Sequence, residues 1–140
     1  FNWVQDFSTE LLNAALDDDA RYPEMGIRFC QEVLAQFTDE SDHFRAFFRG
    51  DLGDICCRAG RLDDGKKIFL DLIRDRPDSA IGYVKLADVL APDVRSERAP
   101  IDLAHARTLL EQALEKSDAD DFDVALRLEE LRRSSLAAPA

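Results

Sequence analysis

No stretch of the chain is apolar for the roughly 20 residues that a helical bilayer crossing requires. Positive charge is scarce as well: 18 Lys and Arg stand against 29 Asp and Glu, a net charge of -11. Such a surface repels a nucleic-acid backbone and an anionic membrane, which excludes both partner classes. Its electrostatic complement is a protein or peptide carrying basic residues. Cysteine is sparse and odd in number, Cys30 with the adjacent Cys56 and Cys57. That is no disulfide framework, and a reducing, cytoplasmic compartment fits it best. No basic start followed by an apolar core opens the chain as a leader would. The six glycines and five prolines never cluster into a linker, so disorder is expected only at the ends. The isolated glycines also form no phosphate loop and no dinucleotide fingerprint.

What the chain does have is apolar residues, 46% of 140, and charged ones, 34%. The first figure suffices for the core of one domain; the second suits long helices with wetted outer faces. The periodicity is helical throughout. Val4, Phe7, Leu11, Ala15 and Leu16 recur at threes and fours, behind an Asn2–Gln5 capping box. This helix ends in Asp17, Asp18 and Asp19, which oppose its dipole. A second helix follows Tyr22-Pro23, since Pro suits a helix start, and carries Ile27, Cys30, Val33, Leu34 and Phe37. After a polar connector at 38–42, a third carries Phe44, Phe48, Leu52, Ile55, Cys56 and Ala59. It stops at Gly60, a residue free to take positive φ.

A fourth helix, 62–76, sets Leu62, Gly65, Phe69, Leu72 and Ile73 on one face and ends at Pro77. Asp78 or Ser79 caps the fifth, which carries Tyr83, Leu86, Ala87 and Leu90 and stops at Pro92. Residues 92–100 read as a charged loop with Arg95, Glu97 and Arg98 at its tip. The sixth helix carries Leu103, Ala106, Leu109, Leu110, Ala113 and Leu114. Asp120 or Asp121 starts a seventh through Phe122, Ala125, Leu126, Leu128 and Leu131. Residues 1–133 are thus expected to form a single domain and 134–140 a loose tail. No segment alternates with period two. The expected fold class is all-α, with short loops making successive helices antiparallel.

The helices repeat. Leu52-Gly53, Cys56, Gly60, Gly65, Phe69, Leu72 and Pro77 resemble one tetratricopeptide repeat, the 34-residue helical hairpin W-x2-L-G-x2-Y…A-x3-F…P. Arg49 departs from the usual Trp and Leu72 from the usual Ala. Small residues at Gly53 and Gly65 would let the two helices of the hairpin approach closely, with Leu52 and Phe69 filling the space beside them. Tyr83, Leu86, Ala87 and Leu90 repeat the first half of the scheme; Ala106, Leu110 and Ala113 repeat the second, after an insertion at 92–100. Gly26, Cys30 and Val33 keep the same spacing one unit earlier. The resemblance implies a right-handed stack of about three hairpins with the last helix as a cap, because an isolated hairpin cannot bury both its faces.

In that family the first helices of successive repeats line a concave groove. The resemblance therefore points to Phe47, Gly50, Asp51, Asp54 and Arg58 on the third helix and Ile81, Val84, Lys85 and Asp88 on the fifth. An acidic stripe beside an apolar one would suit an extended or helical segment with Lys or Arg and a few apolar anchors, over an interface of order 1,000 Å². The family's carboxylate-clamping variant needs Asn where Asp54 and Asp88 stand, so that ligand is disfavoured. Two bland readings remain open. The acids are ordinary solvated helix residues, and Phe47 and Ile81 are packing residues.

The expected function is protein–protein recognition without catalysis, cofactor or metal. The alternatives are a spacer or self-association module, as in a homodimer, and an enzyme in which His43 or His105 meets Cys57 or a carboxylate cluster. Cys56 and Cys57 point about 100° apart on a helix and cannot easily share a zinc ion with Cys30. Asp118, Asp120 and Glu129 have a calcium-loop spacing, but Asp123 stands where that loop needs Gly.

Overall fold

A computed structural model of the chain describes residues 2–14, 21–39, 41–92, 98–118 and 122–137. Its elements are α1 (Asn2–Ala14), α2 (Arg21–Gln36), α3 (Asp42–Arg58), α4 (Leu62–Asp75), α5 (Ala80–Leu90), α6 (Leu103–Lys116) and α7 (Val124–Ala137). Among the described residues there is no strand, and the fold is all-α. Some of the sequence reading lies outside those residues: the Asn2–Gln5 capping box, the Val4 and Leu11 side chains, residues 15–19, and Arg95, Glu97, Asp120 and Asp121. The chain divides into two units, Phe1–Phe69 and Leu70–Ala140, with the boundary inside α4.

In the first unit α1 packs on α2 and α3, and α2 packs on α3. Phe37 meets Phe44 with ring centroids 6.1 Å apart, and Phe29 meets Phe48 at 6.4 Å. The later residue on α2 faces the earlier one on α3, so the two helices are antiparallel. Their shared core is Ile27, Cys30, Val33, Phe44, Phe48, Ile55 and Cys56. The Ser41 hydroxyl accepts a hydrogen bond from the Phe44 amide at 3.2 Å and caps α3, leaving one fewer orphan donor at that end.

The other end of α3 closes as its glycine foretells. Gly60 has φ +80°, a region open to Gly at no steric cost. Its N–H bonds the Cys57 carbonyl at 3.2 Å, and the Arg61 N–H bonds the Cys56 carbonyl at 2.8 Å. These are the two bonds of a Schellman motif. The last turn of α2 has no basic residue of its own. Arg45 of α3 supplies the charge instead, donating to the carbonyls of Leu34 and Phe37 at 3.0 Å each. Those oxygens carry the negative end of the helix dipole. Arg45→Met keeps the aliphatic stem and removes both bonds. It is expected to cost about 1–2 kcal/mol, read as a lower midpoint in urea unfolding.

The α3–α4 hairpin is close where the sequence is small. A Cβ on Gly53 would stand 2.3 Å from the ring of Phe69, and one on Gly65 would stand 2.2 Å from Cys57 Sγ. The residue numbers in each pair fall on one helix as they rise on the other, so this hairpin is antiparallel too. Phe69 is fully buried beside the contact.

In the second unit α5 packs on α6 and α6 on α7. Ser79 caps α5, its hydroxyl accepting from the Ile81 amide at 3.5 Å. Asp102 caps α6, its carboxylate accepting from the His105 amide at 2.9 Å. Ala87, Ala106, Leu110 and Ala113 are all buried, at the places that repeat Gly53, Gly65, Phe69 and Leu72. The insertion between α5 and α6 is tied at its roots: the Leu90 carbonyl accepts from the Ile101 amide at 2.8 Å and from the Asp102 amide at 3.1 Å.

The last helix differs from the sequence reading. It starts at Val124, after Asp123 in the left-handed region at φ +49°, so Phe122 lies before it. Its buried seam is Val124 and Leu128, whereas Ala125 and Leu126 are exposed. A helix resting on a single neighbour buries a narrow i, i+4 stripe, and counting apolar residues overstates its width. Leu114 of α6 is 43% exposed as well. Residues 134–137 continue the helix instead of forming a loose tail; 138–140 are outside the described residues. The Ser134 and Ser135 hydroxyls bond back to the Glu130 and Leu131 carbonyls at 3.0 and 2.9 Å.

Candidate functional site

Phe47, Asp51, Asp54 and Arg58 follow one another at intervals of four, three and four, which sets them along one side of α3. Asp54 and Arg58 are half-buried, and so is Phe47. The Phe47 ring stands edge-on to Phe48 at 5.4 Å, so much of its apolar area is spent inside the first unit. Asp51 is 5% exposed, and the neighbouring Gly50 is buried. A carboxylate so placed is held by groups around it and is not a surface charge.

On α5, in the second unit, Asp88 is exposed and Lys85 half-buried. Ile81 and Val84 are buried, at 5% and 3%. Asp88 accepts a hydrogen bond from Arg127 Nη1 of α7. Arg127 Nε also donates to the Phe122 carbonyl at 3.3 Å, so one guanidinium ties the start of α7 to α5. The nine positions thus fall into two sets. Phe47, Asp54, Arg58, Lys85 and Asp88 keep surface that a partner can touch; Gly50, Asp51, Ile81 and Val84 lie beneath.

His43 and His105 are both exposed. Cys30 and Cys56 are buried and Cys57 is half-buried. Burial pushes the Cys56 thiol above its ordinary range, with the Arg61 guanidinium pulling the other way. A buried thiol held protonated is a poor nucleophile and a poor metal ligand. Among the described residues no three His, Cys, Asp or Glu side chains gather as a metal site would require. Of the calcium-loop residues, Asp120 lies outside the described residues, and Glu129 is paired with Arg133.

A cleft that the sequence reading did not find opens in the second unit between the end of α5, α6 and α7. It encloses about 830 Å³, and its lining includes Ala87, Ala91, Leu103, Ala106, Leu110, Leu126 and Leu131. Arg98 and Pro100 come from the loop before α6, and Asp88, Asp123, Arg127, Glu130 and Arg133 stand at its polar side. That volume lies within the range of ligand-sized pockets, but the lining is far more charged than such pockets usually are, with Asp88, Asp123 and Glu130 against Arg98, Arg127 and Arg133. Leu126, Glu130 and Ser134 line it at intervals of four. In the sequence Leu126 reads as a packing residue of the seventh helix, whereas here it is exposed.

No protein-family model matches the chain, and neither a curated protein nor a solved structure does.

Proposed function

We propose that the chain is a tetratricopeptide-like repeat module that holds a basic segment of another protein. The observation that carries this reading is the close approach at Gly53 and Gly65, the two places where the repeat pattern demands small residues. Buried Ala87 and Ala106 stand at the matching places of the second unit, on either side of the 92–100 insertion. Domains built of such hairpins use their concave face for recognition. The face of each unit offers an accessible carboxylate, Asp54 on α3 and Asp88 on α5. With a net charge of -11, the preferred partner is cationic. Asp51, Ile81 and Val84 support the faces from beneath.

The test uses an array of random peptides probed at low and high salt, with the parent and with Asp54→Asn/Asp88→Asn. The peptides retained are expected to be rich in Lys and Arg. Their binding should weaken with salt and fall about threefold to tenfold in the variant, as two exposed ion pairs would predict. Retained peptides without basic enrichment would remove the acidic recognition surface from this reading.

One observation favours a second reading, self-association. Trp3, Phe7 and Met25 in the first unit are 69%, 44% and 51% exposed, and exposed apolar groups of that size mark contact surfaces. A dimer whose population rises with concentration, in a protein that retains no peptide, would establish it.

A further inference from the structure

α7 ends in a turn that the core does not hold. Beyond Leu128 no described side chain of this helix is buried. Arg132, Arg133 and Ser135 are exposed, and Leu136 is 88% exposed. Serine is a middling helix former. The Ser134 and Ser135 hydroxyls also bond back to the Glu130 and Leu131 carbonyls, a contact that slightly weakens a helix. A last turn with so few buried contacts opens at little cost.

Its residues differ from the rest of the chain. In a protein of net charge -11, residues 131–140 carry two arginines and no acid. Ser135 has Arg132 three places before it, Arg133 two places before it and Leu136 directly after it. No other Ser or Thr of the chain has Arg at both of those places. Ser79, with Arg76 three places before it, is half-buried and caps α5.

We propose that Ser135 is a phosphorylation site for a protein kinase that reads arginine. Such an enzyme selects its substrate by charge pattern. Its acidic subsites take Arg132 and Arg133, an apolar one takes Leu136, and the last turn of α7 unwinds to lie extended. The phosphoryl donor is ATP. Ser135 Oγ attacks the γ-phosphorus, the bond from that phosphorus to the β–γ bridging oxygen breaks, and ADP leaves. The hydroxyl proton passes to the catalytic aspartate of the kinase. The product carries about two negative charges at the end of α7, where they oppose the helix dipole. The phosphate also stands three residues after Arg132, on the same side of the helix. There it competes for the guanidinium that bonds Glu111 of α6 at 3.3 Å, so the modification weakens the hold of α7 on α6. None of the residues of the two recognition faces takes part.

The test incubates the full chain with magnesium ATP and the catalytic subunit of cyclic-AMP-dependent protein kinase, which selects Arg at those two places. Fragmentation mass spectrometry then locates the phosphate. One phosphate is expected, at Ser135, and Ser135→Ala should take up none. Arg132→Gln should lower kcat/KM about tenfold, as loss of a charge-assisted contact would. That variant also frees α7 from Glu111, which eases access, so the fall would report reading of the arginine itself. In the phosphorylated chain the Arg132 Nε–H resonance should move in the direction that Glu111→Gln moves it; an unmoved resonance would overturn the release of α7. A folded chain that takes no phosphate would overturn the site. So would phosphate on Ser134, or equal rates for the parent and Arg132→Gln. Chain isolated from its native cells under phosphatase inhibition should carry the phosphate, and its absence there would overturn the site as one in use.

Discussion

Gly65→Ala is expected to destabilise the chain by about 2 kcal/mol, although alanine is the better helix former. The propensity gain is real, about 0.5–1 kcal/mol in a helix interior. Against it stands the new methyl, which would meet Cys57 Sγ at 2.2 Å and the Gly53 carbonyl oxygen at 2.7 Å. A thiol can turn aside, but a backbone carbonyl inside α3 cannot move without dragging the helix. Overpacking of that kind costs about 1–3 kcal/mol and occasionally more, so the steric effect wins. Urea unfolding followed by circular dichroism measures the difference. Adding Cys57→Ala to Gly65→Ala should restore only part of the loss, because the carbonyl remains. At Gly53 all the close atoms belong to the Phe69 ring. There, pairing Gly53→Ala with Phe69→Leu should recover more than the first pair does. A Gly65→Ala protein as stable as the parent would remove the physical basis of the repeat assignment.

Phe48→Ala carries the larger expected loss, about 3–5 kcal/mol. The Phe48 side chain is fully buried, and three rings stand around it. Phe44, Phe47 and Phe29 have centroids at 4.8, 5.4 and 6.4 Å. Truncation would remove its own burial and also leave the other rings facing a cavity. A small domain holds about 5–15 kcal/mol of stability in all, so the variant should show a much lower melting temperature with marked loss of helix at 37 °C. Phe47→Ala, one position along but half-buried, should cost clearly less. If the two variants melt together, the core of the first unit is not centred on Phe48.

Helix existence and type were legible because each segment carries enough periodic apolar residues to outvote its neighbours. The stops at Gly60 and the caps at Ser79 were legible because single residues with particular chemistry decide them. The close approach at Gly53 and Gly65, with Phe69 beside it, was legible through the repeat resemblance. What escaped depends on how many neighbours a helix has. α5 is buried at Ala80 to Val84 as well as at Leu86, Ala87 and Leu90, so Ile81 and Val84 lie inside where the repeat resemblance pointed to a partner; for Ile81 this is the packing reading that stayed open beside it. α7 is the opposite case, resting on α6 and leaving Leu126 in the open. The same apolar letters thus lie inside on one helix and line a cleft on the other. The cleft follows from that second case and from Asp123, whose left-handed backbone shifts the start of α7 beyond Phe122. An Asp is only moderately enriched there, and its letter alone does not announce the turn.

The Leu90 carbonyl holds two amides from the far side of the insertion, those of Ile101 and Asp102. A segment pinned at both roots by one oxygen transmits little of its own length to the helices it joins. Doubling such a loop costs only about 0.6 kcal/mol of closure entropy. The α5–α6 hairpin therefore has a port where sequence can be added, exchanged or grafted while the helices keep their register. Variation among related chains would be expected to accumulate there first, and a reporter or a second binding segment could be carried there beside the cleft.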